Sequence, residues 1–279
     1  MKLTVLVENT KSDPRLICEH GLSLLIEENG RKLLLDAGSS GAFMENAGLL
    51  GKELGDVSVC VLSHGHYDHS TGFVKFLEKN RKAVLYAMKT AGEDYWSGSG
   101  EGLHYIGIPR ELKEKEDRMC LLDSVTEIAS GIWIVPHSTE GLEKIGCQKK
   151  LYRREGENCR PDDFSHELTL VYETEKGLVL FNSCSHGGIE TIVTEVKRAF
   201  HGKNLYGFVG GLHMKGTRGG EEICTFTGED VEKMAEFLLD SGLEVLYTGH
   251  CTGEAGLAML REKLGRVVQR IRTGDVVTL

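Results

Sequence analysis

Short apolar runs separated by polar turns alternate along the chain with stretches whose apolar positions recur at helical spacing. The period-two and fully apolar runs predict strands at Leu3–Val7, Leu22–Glu27 and Lys32–Leu35. The Glu28-Asn29-Gly30-Arg31 turn joins the last two as a hairpin. Further strands follow at Val57–Leu62, Ala83–Ala87, Val125–Ile128, Ile132–Val135, Glu167–Glu173, Leu178–Asn182, Leu205–Val209 and Glu244–Tyr247, with short strands at the end. Helical spacing predicts helices near Gly41–Asn46, from Gly72, over Ile189–Phe200, Gly228–Leu239 and Glu254–Leu264. Strands regularly followed by helices describe an α/β chain. Four of these strands lead, at their C-terminal ends, into a histidine: His64, His186, His213 and His250. One such histidine is most often structural, but four in the same topological place converge on one sheet edge, where open α/β sheets bind ligands.

The first of these strand ends is the richest in chemistry. Ser63-His64-Gly65-His66-Tyr67-Asp68-His69-Ser70 packs three imidazoles and a carboxylate into six residues between a buried strand and a helix start. Such a ligand set suits Zn²⁺, Mn²⁺ or Fe²⁺. In an extended loop His64 and His66 point the same way, whereas Asp68 and His69 lie where the chain turns and face a second point. Two adjacent ions are the expectation. Asp36, which ends the strand Lys32–Leu35, either caps the following helix or braces a histidine of this loop. His20, in the long segment from Asn9 to Gly21, reads first as exposed and otherwise as part of a substrate pocket.

Composition narrows the class. The chain has 279 residues, 40% hydrophobic and 27% charged, an ordinary soluble make-up with no apolar run of membrane-spanning length. Glu8 interrupts the first apolar run too early for a secretory leader, so a cytoplasmic location is expected. The eight cysteines are scattered, without a Cys-x-x-Cys pair, and read as reduced thiols. A net charge of −9 opposes generic binding to nucleic acid or anionic membranes. Any anionic ligand must be captured locally, and the expected partner is a small, anionic molecule.

Two segments break the pattern, about 91–120 and 137–166, and read as irregular inserts in a single domain spanning 1–279. The first is rich in Gly and Ser, interleaved with Tyr95, Trp96, His104 and Tyr105, as a mobile cover would be, with most motion expected around Gly98–Gly102. The second carries Lys149, Lys150, Arg153 and Arg154. That basic cluster is either a solvated face or an anion-binding cover.

Taken in order, Asp36, His64-x-His66-x-Asp68-His69, His186 and His250 resemble the metallo-β-lactamase superfamily over nearly the whole chain. Glu19-His20-Gly21-Leu22-Ser23, Cys184-Ser185-His186, Gly210-Gly211-Leu212-His213 and Gly249-His250-Cys251-Thr252-Gly253 are similar to its branch of metal-dependent hydrolases. That branch includes an archaeal dihydropterin-methyl ribofuranosylaminobenzene 5′-phosphate synthase. The resemblance implies a four-layer αββα sandwich and two divalent ions, zinc first, with Mn, Fe or Mg as alternatives. It implies His64, His66 and His186 as ligands of the first ion and Asp68, His69 and His250 as ligands of the second. Most binuclear members bridge the ions with an Asp after the strand that here ends in Gly210-Gly211-Leu212-His213, where no acid stands. His213 then serves as a ligand or, the preferred reading, faces the substrate. Backbone alternation points Cys251 away from His250, and neither Cys184 nor Cys251 is counted as a ligand.

The expected activity is hydrolysis of an ester, phosphoester or similar bond by metal-bound hydroxide, with Asp68 orienting or deprotonating the water. Two alternatives stand beside it. One is a transferase condensing a dihydropterin diphosphate with a ribofuranosylaminobenzene phosphate; the other is a non-catalytic or redox metal protein.

Overall fold

In the computed structural model, which describes residues 1–99 and 102–279, the chain forms two units. The first comprises Met1–Asp123, Glu140–Leu168 and Arg272–Leu279, and the second Ser124–Thr139 and Thr169–Ile271.

The first unit is built on a seven-stranded sheet in the order Val276–Thr278, Lys2–Val7, Ser23–Glu28, Arg31–Leu35, Val59–Val61, Val84–Met88 and Met119–Leu122. Pairing is antiparallel up to Arg31–Leu35 and parallel from there to the far edge. The parallel register sets the ends of Arg31–Leu35 and Val59–Val61 side by side, which is how Asp36 comes to stand against Ser63. Helices Ala42–Leu49 and Gly72–Lys79 cover the sheet through Phe43, Phe73, Phe76 and Leu77. Each of these buried side chains contributes about 1.5–3 kcal/mol.

The second unit has its own seven-stranded sheet, ordered Val268–Arg270, Val245–Thr248, Leu205–Val209, Gly177–Phe181, Leu168–Thr174, Ile132–Pro136 and Thr126–Ala129. Gly177–Phe181, Leu205–Val209 and Val245–Thr248 run parallel to one another, so the turns bearing His186, His213 and His250 all leave the same edge. Helices Ile189–Ala199, Gly228–Asp240 and Gly253–Leu264 bury Ile192, Val196, Met234, Leu238 and Leu260 in this unit's core. Thr227 and Asp230 close the start of the middle helix as a capping box.

The two segments read from the sequence as irregular contain regular structure. Asp94–Ser99, Gly102–Tyr105, Leu151–Glu155 and Asn158–Pro161 form a four-stranded antiparallel sheet within the first unit. Gly98 belongs there because its backbone lies against Lys150 and Tyr152: its N–H donates to the Lys150 carbonyl at 2.8 Å, and a Cβ would stand 3.2 Å from the Tyr152 ring. Of the Gly98–Gly102 stretch, Gly100 and Glu101 lie outside the described residues. Among the described residues no helix is long and apolar enough to cross a membrane.

Candidate metal centre

In the first unit the turn Ser63–Ser70 brings its donors together around one buried carboxylate. Asp36 is fully buried, and its own backbone takes a left-handed φ of 58°. One carboxylate oxygen accepts from the Ser63 N–H at 2.8 Å; the other accepts from Ser63 Oγ and from His69 Nδ1, both at 2.7 Å. Ser63 Oγ has a single proton, and Asp36 takes it, so the 2.8 Å contact to His64 must be Nδ1–H donating to Oγ. Both imidazoles are therefore oriented through a proton on Nδ1. Histidines that ligate metal are held in this way. Asp36 braces the loop directly through His69 and by way of Ser63 to His64. It caps no helix, since Ala42–Leu49 starts from Gly41 without a side-chain cap.

The electrostatics suit a cation. Burial, together with the neighbouring imidazoles, holds His64 well below the usual imidazole range. Burial and His166 push His66 down to about 3. Both are neutral donors at physiological pH. Burial acts on His69 in the same sense, but Asp68 and Asp36 outweigh it and raise its pKa to about 10. The ring centres of His66 and His69 lie 4.6 and 4.2 Å from that of His64. Asp68 Oδ2 stands 3.4 Å from His69 Nε2 and 3.2 Å from His20 Nε2. His20, with 56% of its side chain exposed, is thus a neighbour of Asp68.

Beneath this loop lies a group that the sequence reading missed. Gly65 N–H donates to His166 Nδ1 at 2.9 Å, so the His166 proton is on Nε2, where it is donated to Asp162 Oδ2 at 2.9 Å. Asp162, His166 and Tyr95 are fully buried, and the Tyr95 ring lies 3.9 Å from that of His166. The His66 and His166 rings are 5.1 Å apart. Burial would raise Asp162, but the His166 contact outweighs it and lowers the carboxyl below its usual range. Gly65 has to be glycine: a Cβ would stand 2.5 Å from the Ala91 carbonyl oxygen and 3.0 Å from the Tyr95 ring. The four-residue spacing of Asp162 and His166 was the available signal.

In the second unit the three strand ends carry their histidines on bent backbone. His213 and His250 are left-handed, with φ of 49° and 51°, and Ser185 is so at 53°. His186 and His250 are buried, His213 is half-buried, and the rings of His186 and His213 are 4.4 Å apart. The turns are tied together: Ser185 Oγ donates to the Gly211 carbonyl at 2.8 Å, and Leu212 N–H to Thr252 Oγ1 at 2.9 Å. Gly210 abuts the Asn182 carbonyl so closely that no side chain fits, which accounts for the missing acid at the first of these positions. Contrary to the alternation argument, Cys184, His250 and Cys251 offer ligand atoms all within 4.8 Å of one another. Alternation fails because His250 opens a 3₁₀ turn, His250–Thr252, and does not continue the strand. Burial would raise the Cys251 thiol, but hydrogen bonds with Cys184 and His213 and the nearby imidazoles lower it well below the ordinary range. Behind His186, Gly187 packs on His137, whose Nδ1 donates to Glu195 at 2.8 Å, a pair with no spacing or motif to mark it in the sequence.

The basic cluster is split. Arg153 faces Glu93 at 3.3 Å, Glu155 at 3.0 Å and Asp163 at 3.4 Å, so its charge is spent inside its own unit. Arg154 is exposed and lies 5.7 Å from the Trp96 ring, Lys150 is exposed at the left-handed end of helix Glu143–Lys149, and Lys149 is half-buried.

The two αβ halves, with metal-type donors at the strand ends of each, define the α/β fold class of the metallo-β-lactamases. The family model of the metallo-beta-lactamase superfamily matches residues 16–146. Over 273 residues it is 26% identical to the 7,8-dihydropterin-6-methyl-4-(β-D-ribofuranosyl)-aminobenzene-5′-phosphate synthase of Methanocaldococcus jannaschii, covering 93% of this chain and 90% of that one. It is 29% identical to an uncharacterized protein of the same organism, covering 93% and 94%. Among solved structures, a metal-dependent hydrolase of the beta-lactamase superfamily superimposes with a TM-score of 0.83 at 24% identity, over 100% of this chain and 99% of the other. The fold is thus the mixed α/β fold of the metallo-β-lactamase type.

Proposed function

We propose that the chain is a metal-dependent hydrolase acting on an ester or phosphoester bond of a small anionic substrate. The observation that carries this reading is the Asp36–Ser63–His64 and Asp36–His69 chain, which orients two buried imidazoles through their Nδ1 atoms. His64, His66 and His186 are proposed for one divalent ion and Asp68, His69 and His250 for a second, zinc being the first choice for both. Bound there, such ions would supply water activation at neutral pH and polarise the scissile carbonyl or phosphoryl oxygen.

The chain's own residues do the rest. Asp68, in contact with both His20 and His69, orients the attacking water and accepts its proton. His20 stands where that proton can pass to solvent. His213, half-buried beside His186, is proposed to donate to the substrate oxygen. Anion recognition falls to Lys149, Lys150 and Arg154, because Arg153 is already neutralised by three carboxylates.

A second reading, a synthase that condenses two phosphate-bearing substrates, is favoured by the 26% identity to the named synthase along 93% of the chain. One experiment separates the two. Metal-loaded protein is given a panel of phosphoesters and carboxylic esters, and separately a dihydropterin diphosphate with and without a ribofuranosylaminobenzene phosphate. Hydrolysis that Asp68→Asn lowers by about two orders of magnitude or more, at retained metal in the first site, supports the hydrolase. Diphosphate release only when both partners are present supports the synthase. Full activity of Asp68→Asn on every substrate would refute both assignments of Asp68.

A further inference from the structure

We propose that Cys184 and Cys251 are metal ligands, forming with His250 a soft sulfur–nitrogen site at the strand ends of the second unit. The thiolates would supply the negative charge that Gly210-Gly211-Leu212 cannot. This deepens the reading above, since it concerns the ion proposed for His250.

Three independent features support it. The ligand atoms of Cys184, His250 and Cys251 lie within 4.8 Å of one another, and all three residues are buried. Around a tetrahedral Zn²⁺, with Zn–S about 2.3 Å and Zn–N about 2.0 Å, ligand atoms sit roughly 3.3–3.8 Å apart, so the group closes by no more than about 1.5 Å. Second, the backbone is bent where the donors are needed. Left-handed φ at a residue other than glycine is costly, yet Ser185 beside Cys184, and His250 beside Cys251, both adopt it. That bend puts neighbours His250 and Cys251 into one group. Third, Gly211 makes room for sulfur: a Cβ there would overlap Cys251 Sγ and stand 2.8 Å from the Ser183 carbonyl oxygen.

A buried thiol of an ordinary core packs among aliphatic groups. Cys251 Sγ instead accepts the His213 N–H at 3.3 Å and lies 3.6 Å from the Cys184 carbonyl oxygen, in polar surroundings. On binding a divalent ion, a coordinating sulfur that is still protonated releases its proton to solvent, and no electron is transferred. A thiolate in place of a carboxylate shifts preference away from Mg²⁺ and Mn²⁺ toward Zn²⁺, Co²⁺ and Cd²⁺.

The test is a titration of the metal-free full-length chain with Co²⁺ under reducing conditions. The visible d–d bands report any bound ion, and a near-ultraviolet sulfur-to-cobalt charge-transfer band reports thiolate ligation. The proposal expects that band in the wild type and its complete loss in the Cys184→Ser, Cys251→Ser double variant. That variant should still show d–d bands from imidazole-bound cobalt, which certifies its fold. Cobalt bound without the charge-transfer band, or a band that survives in the double variant, would overturn the proposal and leave the hydrolase reading standing. A thiolate-bound ion in a protein inactive on every substrate would do the reverse, and absence of any bound cobalt would sink both.

Discussion

Replacing His166 tests whether the buried Asp162–His166 pair holds the His66 loop in place. In His166→Ala the Gly65 N–H loses its acceptor, Asp162 loses a charge-assisted donor, and Tyr95 loses its ring contact. An unsatisfied buried amide costs about 1–3 kcal/mol and a hydrogen bond to a charged group about 1.5–3. The ring pair adds about 0.5–1.5 kcal/mol. The sum is about 3–7.5 kcal/mol, a large share of the stability of an ordinary domain. His166→Gln separates geometry from bulk. Its amide oxygen can accept from Gly65 and its NH₂ can donate to Asp162, so only the ring contact is lost and the cost falls to about 1 kcal/mol. Urea unfolding of both variants, with amide exchange read at Gly65, gives the comparison. The pH dependence has a definite sign. The native Asp162 pKa is depressed below 3.8, so the carboxylate contributes stability above that pH and loses it as pH falls through the lower native value. Without His166, burial dominates, the native pKa rises, and His166→Ala should unfold at higher pH than wild type. If Ala and Gln variants are equally stable, or Gly65 exchanges equally slowly in both, the pair does not position the loop.

Two further predictions are independent of substrate. Asp36→Asn should weaken metal retention by about 10–100-fold in a chelator competition while the fold persists, because the histidine tautomers lose their anionic brace; unchanged retention would show that the brace is dispensable. Gly211→Ala should destabilise the chain by about 1–3 kcal/mol in thermal or urea unfolding, since the new Cβ overlaps Cys251 Sγ; a neutral result would mean that the turn can move aside.

The sheets were legible because their strands are short apolar runs and their local order survives in the fold. The loop donors were legible because four of them fall within six residues. What escaped depends on non-local pairing. Asp94–Ser99 looks irregular alone and becomes a strand because Leu151–Glu155, some fifty residues on, pairs with it. Arg153 reads as a free cation until Glu93, Glu155 and Asp163 are folded around it. His166 sits in a segment whose periodicity is broken by Phe164, left-handed at φ 56°. Cys251 was misplaced for a local reason: alternation presumes an extended backbone, and His250 is not extended.

The discontinuity of the first unit bears on the order of synthesis. Its edge strand Val276–Thr278 pairs with Lys2–Val7, and Thr273 Oγ1 accepts from the Glu8 N–H at 2.7 Å, yet every residue of the second unit is translated between these partners. During translation the nascent Lys2–Val7 therefore waits, with one ladder of N–H and C=O groups open, until Val276–Thr278 leaves the ribosome. An unpaired edge of that kind is a template for another chain. Polysomes translating this protein should be a point of exposure to mispairing, and chaperone demand should fall sharply once Val276–Thr278 is released.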